Sequence, residues 1–333
     1  MKESKYYSQI DRQDNSINYK IQTLRGLAII AVVFIHNTPN GMSQVIIRPF
    51  LNFGVGLFLF LSGMLSNAGK WNPMKRISKV LIPYAIWTLI YVVGFAYKVP
   101  LQIPIIYMRK LILGNSAAIM YYIFVYCEFT LLIPLIDKLA KSKYWYWGFV
   151  VTPMEIIIMR LIPLILGVGF NKYINAIMGV SCLGWFTYFY LGYMMGNKLI
   201  KIQWSDRKLL LIWGLSILFQ IGEGYLYLYL GQANCGTQIK LSSIISGALF
   251  SIIAFRFIYS NRECHCIVLK KIGDISFGIY FSHIAVMTML GIFPFYKQLT
   301  PYPINAIIVI IATSLCVCVG KNILGKYAKY FAL

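Results

Sequence analysis

The sequence is short of acids: it has ten Asp and Glu against 31 Lys and Arg, and charged residues of both signs fill only 12% of its 333 positions. So few charges cannot coat a water-soluble globule of this length. With 59% hydrophobic residues and a mean hydropathy of +0.68, the chain predicts an integral membrane protein. Apolar runs such as Leu57 to Leu61 and Ile304 to Ile311 lack the alternation of a transmembrane β-barrel strand, which leaves helices as the spanning elements. Seven scattered cysteines do not indicate a disulfide framework, and Cys264-His265-Cys266 and Cys316-x-Cys318 lack the usual spacing of a structural zinc site, so no metal is expected. There is no internal repeat and no low-complexity tract.

What is present is a series of apolar runs, each near the roughly 20 residues that cross a bilayer as a helix. Ten are read, at about 24–38, 50–68, 78–97, 117–137, 146–168, 174–196, 208–230, 241–259, 275–293 and 303–320. They predict an all-α, polytopic bundle in a single domain, 1–333, with a polar N-terminal segment at 1–20 and no appended soluble domain or removable signal peptide. The stretch 98–116 holds prolines and charges and reads as an external loop or interfacial segment. With ten spans, 23 of the 31 cations fall in the even loops and the two terminal segments, seven on the other side, and Arg160 inside a span. The positive-inside rule then places both termini in the cytoplasm, and the net charge of +21 reflects topology and attraction to anionic membrane lipid rather than to nucleic acid.

The first apolar stretch, "RGLAIIAVVFIH", begins with Arg25 and ends with His36. Eleven residues at about 100° each make roughly three full turns, so the two side chains share a face about 16 Å apart along the axis. A polar face at such depth implies a protein-lined or wet cleft. The plainer readings are a snorkelling Arg25 and a His36 that closes a short span before Asn37 and Pro39. Glu128, Glu155 and Glu223 also lie within spans, where ionisable groups are functional candidates. Glu155 and Arg160, five residues apart, stand about 140° apart on an α-helix and are expected to find partners on other helices.

Taken together, "LRGLAIIAVVFIH", "NFGVGLFLFLSGML" (52–65), "KRISKVLIPYAIW" (75–87), "MYYIFVYCEFTLLIPLI" (120–136) and "KIGDISFGIYFSHI" (271–284) resemble the integral-membrane acyltransferase family 3 in order, spacing and flanking character. The resemblance covers about the first 140 residues well and 270–290 fairly. It implies a multi-pass O-acyltransferase of the bacterial inner membrane. Such an enzyme transfers an acyl group, acetyl by preference with succinyl as the alternative, from cytoplasmic acyl-CoA to a hydroxyl of an envelope or exported polysaccharide or its lipid-linked precursor. Acyl-CoA is then a donor substrate, with no permanently bound cofactor, and a separate extracytoplasmic transferase or the polysaccharide synthesis machinery is a possible partner.

The family's histidine falls on His36, its first-helix arginine on Arg25, and the Arg-x-x-Arg that opens its third helix on Arg76 and Lys79, where lysine replaces the second arginine. That substitution keeps the charge but loses the bidentate fork suited to phosphate. Two roles for His36 fit: a general base between hydroxyl and leaving thiolate, or a nucleophile forming an acyl-histidine. Gly273, Ser276, Tyr280 and His283 are expected on one face of the ninth span. Tyr280 and His283 are substrate-side candidates with Glu128 and Ser62, although interhelical hydrogen bonding explains Ser276 and Tyr280 equally well. Ser62 and Gly63 are expected to pack the second span against the first. The rival class is a polysaccharide or lipid-linked sugar transporter, and the third reading a membrane scaffold without chemistry.

Overall fold

The computed structural model describes residues 2–96, 99–166, 181–232, 234–261, 263–294, 296 and 300–333. These form an all-α bundle that opens with a 36-residue helix, α1 (Lys2–Asn37). The expected first span begins near 24, yet the helix runs on through the polar segment before it, where no glycine or proline interrupts it. The second apolar stretch is built of α2 (Met42–Ile47), a 3₁₀ turn at Arg48–Phe50 that carries Pro49, and α3 (Phe53–Met64). Then come α4 (Pro73–Ala96), with proline at its first position, and α5 (Ile103–Leu113). Only 11 residues long, α5 is too short to span and lies in the stretch read as external or interfacial.

The chain continues with α6 (Tyr121–Ala140), α7 (Trp147–Ile156), a π turn at Ile157–Leu161, α8 (Ile162–Leu166) and α9 (Phe186–Gly196). It ends with α10 (Asp206–Tyr229), α11 (Leu241–Ile258), α12 (Ile267–Asp274), α13 (Ser276–Leu290) and α14 (Ile304–Leu324). Parts of the fifth and sixth expected spans, at 167–180, lie outside the described residues.

Six helical stretches among the described residues are long and apolar enough to cross a membrane, and a seventh if α12 and α13, bent by 78°, count as one broken span. The protein is therefore a polytopic membrane protein, but the count of ten is not reproduced by length and composition. The fourth region, α6, carries Glu128, Asp137 and Lys138, and α9 has only 11 residues. The candidate spans also differ in position. Those of α1 and α2–α3 are each 61% buried, whereas the one from Ile304 is only 17% buried, so the former make the centre and the latter the rim.

Small residues set the tightest crossings. A Cβ on Gly63 would stand 2.1 Å from the Phe189 carbonyl oxygen, and one on Gly192 would stand 2.0 Å from that of Phe60, so α3 and α9 touch backbone to backbone. The expected contact of Gly63 with the first helix is thus corrected: it faces α9, while Gly54 faces Ala28 of α1. The same device joins α1 to α12, where a Cβ on Gly26 would lie 1.9 Å from the Leu269 oxygen and one on Gly273 would lie 1.8 Å from the Gln22 oxygen.

Two further expectations are revised. Glu155 and Arg160 do approach, Nε to Oε2 at 4.0 Å, because the intervening π turn follows an i to i+5 pattern that brings residues five apart together. Gly273 does not share a face with Ser276, Tyr280 and His283, because the helix breaks at Ile275 between them. That break fixes the site, since it holds α12 against α1 and sends α13 inward from Ser276.

Candidate functional site

A cavity of about 760 Å³ opens between α1, α3, α4, α6 and α13. Its charged lining is wholly basic: Arg25 from α1 and Arg76 and Lys79 from the first turns of α4. Asn18, Gln22, Ser62 and Ser276 add polar groups, and Phe58, Tyr122, Tyr126, Phe277 and Tyr280 form an aromatic wall. Among the described residues no carboxylate lies within ion-pair distance of the three cations. Arg25 is braced one turn away by Gln22, Nη1 to Oε1 at 3.2 Å, and Asp274, the acid near it, is already matched by Lys270 at 2.6 Å. Arg76 donates to the Ser66 hydroxyl at 3.0 Å, and Ser66 in turn donates to the Ser62 carbonyl at 2.7 Å. That chain ties the start of α4 to the end of α3. Lys79 is exposed at the mouth.

The innermost α1 residue in the lining is Val32, one turn short of His36. His36 is half-buried at the far end of the same face, its ring 5.4 Å from that of His283 with the planes tilted by 51°. His283 is fully buried on α13, and its Nδ1 lies 2.9 Å from the Ile279 carbonyl. Arg48 approaches from the α2–α3 turn, donating from Nη2 to the Ile35 carbonyl at 3.1 Å.

The structure thus brings together Arg25, Arg76, Lys79, Ser62 and Tyr280 in one cavity and sets His36 against His283. Tyr280 turns its hydroxyl to the Ile119 carbonyl and lies 5.5 Å from the Tyr122 ring. Glu128 lies outside the lining of this cavity, and its Oε2 accepts the Cys182 N–H at 2.6 Å. Glu155 pairs with Arg160, and Glu223 accepts from Leu241, Ser242 and the Ser242 hydroxyl; among the described residues no intramembrane acid bonds to His36.

A second polar cluster gathers around 235–243. Lys240, fully buried just before α11, donates to the carbonyls of Cys235 at 3.1 Å and Gln220 at 3.4 Å, and Gln220 bonds Asn52, Ser243 and Ser246. Burial pushes the Lys240 ammonium down to about 8, against the opposing pull of Glu223.

Sequence reading missed Arg48, Ser66 and the aromatic wall. Gln22 was available to it, as the residue three before Arg25 on the same helix face. Arg48 and Ser66 had no such signal, since both sit at helix ends whose direction the sequence does not set.

These features define a class: a multi-pass membrane protein with a basic, aromatic-walled cavity that runs along one helix towards a histidine pair. The chain belongs to the acyltransferase 3 family, whose model, described as an acyltransferase domain, matches residues 18–321, and it is a membrane acyltransferase. Neither a curated protein nor a solved structure matches it. Family membership favours an enzyme over the transporter and scaffold readings.

Proposed function

We propose that this chain is a single-domain O-acyltransferase of the bacterial inner membrane. It moves an acyl group, acetyl by preference, from cytoplasmic acyl-CoA to a hydroxyl of a surface polysaccharide or lipid-linked sugar. The observation that carries this reading is the cavity itself, which joins three cations without carboxylate partners to the helix face that ends at His36. Pyrophosphate and the 3′-phosphate of CoA suit Arg25, Arg76 and Lys79, and the aromatic wall suits the pantetheine arm. From Val32 the arm has about 6 Å further to run along α1 to bring its thioester to His36.

There a neutral imidazole takes the proton of the sugar hydroxyl as its oxygen attacks the thioester carbon, and returns it to the departing thiolate. An acyl-histidine formed on His36 and resolved by the hydroxyl is the second route. Lys79, lacking the fork of arginine, is the weaker phosphate ligand. Both termini are placed on the cytoplasmic side with the basic mouth, in line with the charge bias of the loops.

The test is the O-acyl content of surface polysaccharide, read by NMR, in cells producing wild type or His36→Ala at matched membrane levels. Acyl groups present with wild type and absent with the variant support the reading. Unchanged acylation, or polymer that stops reaching the surface, refutes it in favour of transport.

A further inference from the structure

His283 is buried completely, and both of its ring nitrogens can be accounted for. Nδ1 lies 2.9 Å from the Ile279 carbonyl oxygen. A carbonyl only accepts, so Nδ1 carries the ring proton and Nε2 is a bare lone pair. Nε2 is buried and has no hydrogen-bond partner among the described residues, an arrangement that native interiors rarely leave without a purpose. The ring beside it is His36, 5.4 Å away between centroids. That is about the separation two imidazoles need when one N–H···N bond of ordinary length joins them.

No acid bonds or pairs with His36 among the described residues, so the carboxylate that orients the base in many acyl-transfer sites has no counterpart here. The charged group on the other side of the pair is the Arg48 guanidinium, which can only donate.

We propose that His283 is the positioning residue for His36: its Nε2 accepts the ring N–H of His36 and fixes which nitrogen of His36 remains the base. This rests on the reading of His36 as the reacting histidine. In the ground state Ile279 holds the His283 tautomer and His283 holds that of His36, so the free lone pair of His36 points at the reacting atoms. During transfer that nitrogen takes the hydroxyl proton as the C–O bond forms. The C–S bond breaks, its electron pair leaves on the CoA sulfur, and the same proton passes to the thiolate. The N–H to His283 stays in place throughout, so His283 neither gains nor loses a proton. The described geometry brings the two rings within reach of that bond without closing it, and a small turn of either imidazole does so.

The amide variants separate this role from packing. A glutamine side chain sets its terminal carbonyl near the place of Nε2, whereas asparagine reaches only to the place of Nδ1 and can serve Ile279 but not His36. The full chain in membrane vesicles from its producing cells is supplied with acetyl-CoA, free CoA thiol is followed, and CoA binding to each purified variant is measured alongside. His283→Gln is expected to keep kcat within about threefold of wild type. His283→Asn is expected to lose about tenfold or more in kcat, with KM for acetyl-CoA and CoA affinity nearly unchanged.

Equal retention or equal loss in the two variants, or loss in Gln but not Asn, overturns the proposal. Intact CoA binding shows that a slow variant is folded. If His36→Ala in the same assay turns over like wild type, it is the reading of His36 that fails, a result distinct from any pattern at position 283.

Discussion

Arg25 and His36 stand on one face of α1, but their surroundings differ in kind. Around Arg25 the wall is open, its charges are mounted on long side chains, and Arg76 and Lys79 face the cavity without carboxylates to neutralise them. Around His36 the groups are locked: His283 to Ile279, Arg48 to Ile35, Asn37 to the Val33 carbonyl at 2.8 Å and Thr38 to that of Phe34 at 2.9 Å. The open end is suited to capturing a mobile polyanion, because unpaired cations attract phosphate over a Debye length and adapt to it. The closed end is suited to chemistry, where a small error in placement costs rate. On the proposed assignment one helix carries both affinity and turnover, about 16 Å apart, and substitutions at its two ends should separate in kinetic parameter as well as in size.

The largest effect belongs to the closed end. On the proposed assignment His36→Ala lowers kcat by about 10²–10⁴-fold, the usual range for a lost general base, while KM for acetyl-CoA moves little. A variant that instead raised KM and kept kcat would place His36 in donor binding and erase the contrast. Next comes Arg76→Ala at the open end. Losing one charge-assisted bond of about 1.5–3 kcal/mol should raise KM for acetyl-CoA by roughly 10–100-fold with kcat within about threefold. Because the cavity is open and its cations reach solvent at least in part, added salt should mimic the variant, weakening donor capture in wild type more than in Arg76→Ala.

The contrast was partly written in the sequence. The shared face of Arg25 and His36 follows from helix arithmetic on a single element, and so does the pairing of Arg76 with Lys79, so neither needed tertiary information. What lay beyond reach involved either a break in a helix or the approach of distant segments. Arg48 counts in the sequence as one more loop cation, and only the turn at Pro49 swings it back onto Ile35. The 78° bend at Ile275 carries no proline, so Gly273 could not be separated from Ser276 by pattern alone. Glu155 and Arg160 meet because of a π turn that ordinary helix spacing does not anticipate. The ten apolar runs outnumber the long apolar helices among the described residues because hydropathy does not report where α7 passes into a π turn or where α9 begins.

A smaller effect tests the departure of Lys79 from arginine. Lys79→Arg adds a planar fork at a position already exposed and basic, and on the proposed assignment it lowers KM for acetyl-CoA by about two- to fivefold with kcat unchanged. Steady-state kinetics in membrane vesicles decide it. A rise in KM would mean that Lys79 acts through reach rather than through fork geometry, and that the mouth is more tightly shaped than its exposure implies.

The smallest effect sits where the two kinds of environment meet. Ser66 is buried, and its hydroxyl accepts from Arg76 at 3.0 Å while donating to the Ser62 carbonyl at 2.7 Å. It is not part of the cavity lining, yet it holds the side chain of Arg76, a cation at the mouth. Ser66→Ala removes the tether and leaves the charge, so Arg76 can still reach phosphate but must be ordered each time. A net hydrogen bond of about 0.5–1 kcal/mol predicts a rise in KM of roughly two- to fivefold, with kcat unchanged and the loss smaller than in Arg76→Ala. In the double variant Ser66→Ala, Arg76→Ala the serine change should add almost nothing, because its only route to the donor is through the arginine. An additive double variant would show that Ser66 shapes the end of α3 in its own right. The open end would then owe part of its affinity to the packed helix beneath it, as the closed end does.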